Sequence, residues 1–119
     1  MPREYGRNKR VADLVQRELA GIIQHEQTDT GVELVTISYV DVSPDLKNAK
    51  IYITSMDVNR TREDITETLN SFAGHFRYLL AQQLTLKVVP KLKFIYDESI
   101  ERGTHLNALL DSLVKSDDS

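Results

Sequence analysis

Between Thr68 and Tyr96 the chain contains no acid, while Arg77, Lys87, Lys91 and Lys93 all fall there. Near the N-terminus Arg3, Arg7, Lys9 and Arg10 stand against Glu4 alone. Clustered cations of this kind bind phosphates: they release the counterions condensed on a nucleic acid, so affinity falls as salt rises. The balance is made up elsewhere. From Asp97 onward six acids face only Arg102 and Lys115. The full chain of 119 residues has a formal charge of −3, with an isoelectric point of about 5.6. A mildly acidic protein holds a basic face only if its two basic segments meet in space. Singly, each lysine is better explained by solubility; the argument is collective.

Catalysis has little support. His25, His75 and His105 fall in three separate segments and never at His-x-x-x-His spacing, so no histidine pair suits a metal. No serine lies in a nucleophile elbow and no glycine loop suits a nucleotide phosphate. There is no cysteine, hence neither a disulfide framework nor a thiolate metal site. Asp45 and Asp97 read as turn and strand-end residues. The expectation is no cofactor, no metal and no small-molecule substrate. No apolar run is long enough to span a membrane, and the N-terminus lacks the apolar core of a signal peptide. A cytoplasmic protein is expected.

These cations must be positioned by ordinary elements. Val11, Leu14, Val15, Leu19, Ile22 and Ile23 mark one face of a helix over about 8–26, with Asn8 as its cap. Thr28-Asp29-Thr30-Gly31 breaks it. Two strands follow, about 34–42 and 49–55, joined by the turn chemistry of Ser43-Pro44-Asp45. In the first strand Val35, Ile37 and Tyr39 lie on one parity and Leu34, Val40 and Val42 on the other, a conflict that a bulge resolves. Thr61 caps a second helix. Its apolar stripe runs through Ile65, Leu69 and Phe72, then Phe76, Leu79, Leu80 and Leu84. Gly74 sits at the join, and the spacing predicts a bent helix pair cornered there. On that reading Gly74→Ala weakens RNA binding more than it changes stability. A third strand over 86–96 places Lys87, Lys91 and Lys93 on one face, with Pro90 marking an edge. Leu106, Leu109, Leu110, Leu113 and Val114 give a short C-terminal helix. Residues 116–119 read as a disordered tail.

The order is helix, strand, strand, kinked helix pair, strand, short C-terminal helix. It predicts an α+β fold with helices on one face of a three-stranded mixed sheet. That order suits a KH-like domain of the second type, in which a helix pair with a glycine-marked corner meets RNA. One domain is expected over residues 1–115. Phe72, Ala73, Gly74 and His75 then form the corner, with Arg77 one turn beyond. Tyr52 and Tyr78 are candidates for base stacking, although the aromatic pattern of RRM domains is absent.

The run Val40-Asp41-Val42-Ser43-Pro44-Asp45-Leu46-Lys47-Asn48-Ala49-Lys50-Ile51-Tyr52-Ile53 resembles the hairpin of bacterial ribosome-binding factor A. So does Leu86-Lys87-Val88-Val89-Pro90-Lys91-Leu92-Lys93-Phe94-Ile95-Tyr96-Asp97-Glu98-Ser99, followed by Gly103 and Leu109-Leu110. The opening Arg10-Val11-Ala12 and the run Glu18-Leu19-Ala20-Gly21-Ile22-Ile23 are similar too. The resemblance implies a KH-like fold with an Ala-x-Gly kink, here Phe72-Ala73-Gly74, in which phenylalanine stands where that family has alanine. A basic run that the family carries near Thr28-Asp29-Thr30-Gly31 is also replaced. The implied role is a non-catalytic assembly factor, a monomer. It binds the free small (30S) ribosomal subunit and assists maturation and processing of 16S rRNA near its 5′-terminal helix. The other reading of the same fold is a KH-like module that binds only protein.

Overall fold

A computed structural model of the chain describes residues 6–98. Arg3, the helix expected around 106–114 and the tail 116–119 lie outside the described residues. Helix α1, Arg7–His25, buries Val11, Ala12, Val15, Leu19, Ile22 and Ile23 along one stripe. Its N-cap is Gly6 rather than Asn8. Asn8 instead sits in the first turn and donates from Nδ2 to the Val42 carbonyl at 3.2 Å, tying α1 to the first strand. The break at 28–31 is a single helical turn, α2 (Gln27–Thr30), closed by Gly31 in the left-handed region at φ 73°. Glycine adopts that conformation without a Cβ penalty.

Strand β1 (Val35–Val42) pairs antiparallel with β2 (Asn48–Ser55). The register slips between Ile37 and Tyr39, so Ser38 is the extra residue of a bulge. This settles the parity conflict: Ile37 before the bulge and Val40 and Val42 after it are all buried. Ser38 Oγ donates to Asp97 Oδ2. Strand β3 is Lys91–Tyr96, parallel to β2, giving a mixed sheet in the order β1-β2-β3.

β3 starts five residues later than the sequence pattern suggests. Pro90 has no N–H to give a ladder, and the first bond across is Lys91 N–H to the Lys47 carbonyl at 2.9 Å. Before it, Val89 and Pro90 are both buried, so the alternation stops. Lys91 and Lys93 do share one face, but Lys87 belongs to a loop and not to that row.

Helix α3 (Arg62–Ser71) is capped by Thr61, whose Oγ1 accepts from Asp64 N–H at 3.0 Å. Helix α4 is Ala73–Gln83. The join between them is Phe72, at φ −99° and ψ 4°, not Gly74. Phe72 N–H closes a tight turn onto the Leu69 carbonyl at 3.1 Å, and its own carbonyl accepts from Phe76 N–H at 2.9 Å. Gly74 lies inside α4, where an added Cβ would meet nothing within 4 Å.

All these helices cover one face of the sheet. Ile65 and Leu69 of α3, Phe76 and Leu80 of α4 and the α1 stripe bury Ala49, Ile51, Ile53, Leu92 and Phe94. Phe76 meets Phe94 edge-on, with ring centroids 5.7 Å apart. Asn70 closes the outer edge of β3: its side-chain amide donates to the Phe94 carbonyl at 3.0 Å and accepts from Phe94 N–H at 2.7 Å. An edge strand so capped is a poor template for another strand.

Arg60 fastens α2 to α3. Its guanidinium reaches Asp64 Oδ2 at 2.7 Å, the Gly31 carbonyl at 2.9 Å and Thr68 Oγ1 at 2.8 Å. The hydrogen bond from Arg60 holds the Asp64 carboxyl below its ordinary value of 3.8. A carboxylate whose folded pKa is depressed stabilises the fold above its unfolded pKa, and that contribution is lost as pH falls through the folded value. Arg60→Met is therefore expected to lower the thermal midpoint at pH 7. The deficit should shrink as pH falls below about 3.8 and Asp64 protonates; a deficit undiminished once every carboxylate is protonated would leave Asp64 out of it.

Candidate nucleic-acid interface

Gly74, Arg77, Tyr78 and Ala81 recur at helical spacing along one exposed flank of α4. The loop 84–90 lies beside them. Arg77 Nε donates to the Val89 carbonyl at 3.0 Å, which pins the loop to the helix. With Leu86, Lys87 and Val88 the four α4 residues line an open groove of about 560 Å³. Only one of the five Arg77 N–H donors is used among the described residues.

Across the loop, Leu86, Lys87 and Val88 line a second groove of about 500 Å³, together with Arg7, Arg10, Val11 and Leu14 of α1. The far wall is Pro44, Asp45 and Leu46 of the β1–β2 turn. Lys87 therefore looks into both grooves. Arg7, Arg10, Lys87 and Arg77 form one basic strip, and two segments far apart in sequence meet at the loop.

The turn that makes the far wall is held by its own polar groups. Leu46 N–H bonds to the Ser43 carbonyl at 2.9 Å, and Leu46 takes φ 65°. A leucine in that region costs about 1 kcal/mol. Asp45 Oδ1 accepts from Ser43 Oγ at 2.6 Å and from Lys47 N–H at 3.0 Å. The Ser43 bond first, then the Lys47 N–H, hold the Asp45 carboxyl below its ordinary 3.8. One negative charge thus stays at the rim.

The structure does not bring the remaining sequence candidates into this strip. Lys91 and Lys93 are exposed on the sheet face opposite the helices. There Lys93 is level with Lys50 of β2. The sequence reading passed over Lys50; its alternation was visible, but its neighbour depends on a parallel register that no local pattern specifies. His75 Nε2 lies 2.9 Å from Glu26 Oε1, at the C-terminal end of α1. Phe72 and Ala73 are half-buried against the core. Lys9 is exposed in the first turn of α1 and lines neither groove. Tyr78, 61% exposed, is the aromatic ring nearest the strip's chemistry, and its hydroxyl accepts from Gln82 Nε2 at 2.9 Å.

Among the described residues no group of three or more His, Asp or Glu side chains could hold a metal ion. No helix there is long and apolar enough to cross a membrane. The arrangement is one of surface charge over an apolar floor.

Known proteins resemble this chain along most of its length. The family model described as Ribosome-binding factor A matches residues 7–110. A ribosome-binding factor A from Nitrosococcus oceani is 44% identical over 117 residues, covering 98% of this chain and 92% of its own length. One from Pseudomonas syringae pv. tomato is 48% identical over 120 residues, covering 98% and 86%. The crystal structure of ribosome-binding factor A from Thermus thermophilus superposes with a TM-score of 0.66 at 24% identity, over 77% of this chain and 97% of that one.

With its Cβ position open and its backbone helical, Gly74→Ala is expected to raise stability by up to about 1 kcal/mol and to leave RNA affinity within twofold. Chemical denaturation and a binding titration check the two halves. A clear loss of affinity without loss of stability would restore Gly74 as a hinge.

Proposed function

The chain belongs to the ribosome-binding factor A family, and from that premise we propose that it binds free small ribosomal subunits through the basic strip. In this reading it assists late maturation and processing of 16S rRNA near the 5′-terminal helix. It works as a non-catalytic, cytoplasmic monomer, and residues 1–115 form one ribosome-binding domain.

The observation that carries the proposal is the meeting of Arg7 and Arg10 with Lys87 and Arg77 around one loop of an acidic chain. Phosphates are the natural counterions of such a strip. The element order supports a KH-like mode, with α4 and its loop as the contact surface. A Thermus thermophilus ribosome binding factor A has been fitted into a cryo-EM map of its complex with the 30S subunit. The apolar floor of the second groove, Val11, Leu14, Leu46 and Val88, favours a second reading in which a protein side chain seats there.

The two readings separate by salt and by charge. Arg10→Glu with Lys87→Glu is expected to abolish co-sedimentation with isolated small subunits while leaving the unfolding midpoint unchanged. The wild-type association constant should fall by roughly 3–4 decades per decade of salt, the slope for about four phosphate contacts. Subunit binding unmoved by the double reversal, or indifferent to salt, would favour the protein-binding module.

A further inference from the structure

The face of the sheet turned away from the helices plays no part in the strip. We propose that it is a second RNA-contact surface, on which Tyr39 and Tyr52 stack unpaired bases while Lys50 and Lys93 hold the phosphates between them. The inference rests on the reading that rRNA is the partner, and it concerns a different surface.

The register assembles this platform. Tyr39 of β1 stands opposite Tyr52 of β2, with ring centroids 6.0 Å apart and planes inclined by 42°. In the next outward row Asp41, Lys50 and Lys93 lie level across the three strands. Tyr39 is 49% exposed. Among the described residues no helix covers these side chains, because the described helices pack on the other face.

Two features point to nucleic acid. The first is the pair of like charges. Directly opposed lysines on neighbouring strands destabilise a sheet, and neither Lys50 nor Lys93 has an ion-pair partner among the described residues. Asp41 is level with Lys50 on its other side but makes no ion pair within 4.0 Å among the described residues. A phosphate between the lysines removes that repulsion. The second is the kind of surface. Here an exposed ring, Tyr39, and a half-buried one, Tyr52, stand beside cations, and aromatic rings beside cations are the usual platform for single-stranded bases. The only aliphatic side chain in these rows is Ile95, half-buried beside Tyr52. That leaves little of the apolar centre a protein partner needs.

Contacts at the strip and on the open sheet face would let the protein hold two RNA segments at once. The second contact is then intramolecular and gains from effective concentration.

The chain has five tyrosines and no tryptophan, so tyrosine emission reports stacking directly. The experiment titrates the full chain with a single-stranded oligouridylate of about ten nucleotides, spanning one such platform. Quenching of tyrosine emission is expected. Tyr39→Ala with Tyr52→Ala should weaken affinity at least tenfold and remove most of the quench, with circular dichroism unchanged. Tyr39→Phe with Tyr52→Phe, followed with a labelled oligonucleotide, should bind within twofold of wild type. Lys50→Gln with Lys93→Gln should flatten the salt slope by about 1.4, the share of two single-strand phosphates. Wild-type oligonucleotide affinity in both the alanine and the glutamine pairs would overturn the inference. So would displacement of the oligonucleotide by polyglutamate as readily as by unlabelled RNA, which would mark the face as a site for acidic protein. If the sheet variants bind normally while Arg10→Glu with Lys87→Glu loses the subunit, this surface falls and the functional reading stands. If the double reversal keeps the subunit, the strip falls, and the sheet is still judged by its own variants.

Discussion

The strict alternation of β2 is the constraint on which the rest of the molecule depends. Ala49, Ile51 and Ile53 are each 1% exposed or less, while Lys50, Tyr52 and Thr54 point the other way. β2 is the middle strand, paired on both sides, so its parity is imposed on both neighbours. A slip of one residue against β3 would turn Phe94 outward and Lys93 into the core. Burying an unpaired ammonium costs far more than any single hydrogen bond returns. The parity of one strand therefore fixes which side the helices take and which side keeps its lysines.

The loop 84–90 is where the helix layer meets the sheet, and its shape follows from two residues. Pro90 withholds a donor and delays the strand. Arg77 supplies a donor to the Val89 carbonyl and draws the loop against α4. Between them Lys87 is left facing α1 on one side and α4 on the other. The basic strip is thus a by-product of how a helix hands over to an edge strand. The same edge is closed by Asn70 at Phe94, so β3 offers its lysine face but not its backbone there.

What the sequence disclosed, it disclosed through period and capping. The α1 stripe, the Thr61 cap and the need for a bulge in the first strand were all legible, because each is written in neighbouring residues. The bulge is the clearest case. Two apolar parities in one strand have few physical solutions, and Ser38 is the one adopted. The misreadings have a common cause. Gly74 looks like a breaker by propensity, yet Phe72 makes the join while packing beside Phe76, with ring centroids 6.2 Å apart. Lys87 has the parity of Lys91 and Lys93, but parity means nothing where no ladder exists. Lys50 showed its alternation but not its neighbour, because the pairing with Lys93 is set by a parallel register with β3. Element types were local facts; the meeting of charges was a tertiary one.

A net negative chain can still hold a polyanion, and the reason is range. At physiological salt the Debye length is about 8 Å, so a phosphate in the strip responds to Arg7, Arg10, Lys87 and Arg77 and only faintly to acids on other surfaces. Those acids then act on selectivity. They repel a long nucleic acid that approaches from a side without cations, so that productive encounters need a cation-bearing face to be presented. Asp45, kept ionised at the rim by Ser43 and Lys47, narrows this further by disfavouring a phosphate placed against the turn. Local cations give the attraction, and the distribution of the acids decides from which direction it can be used.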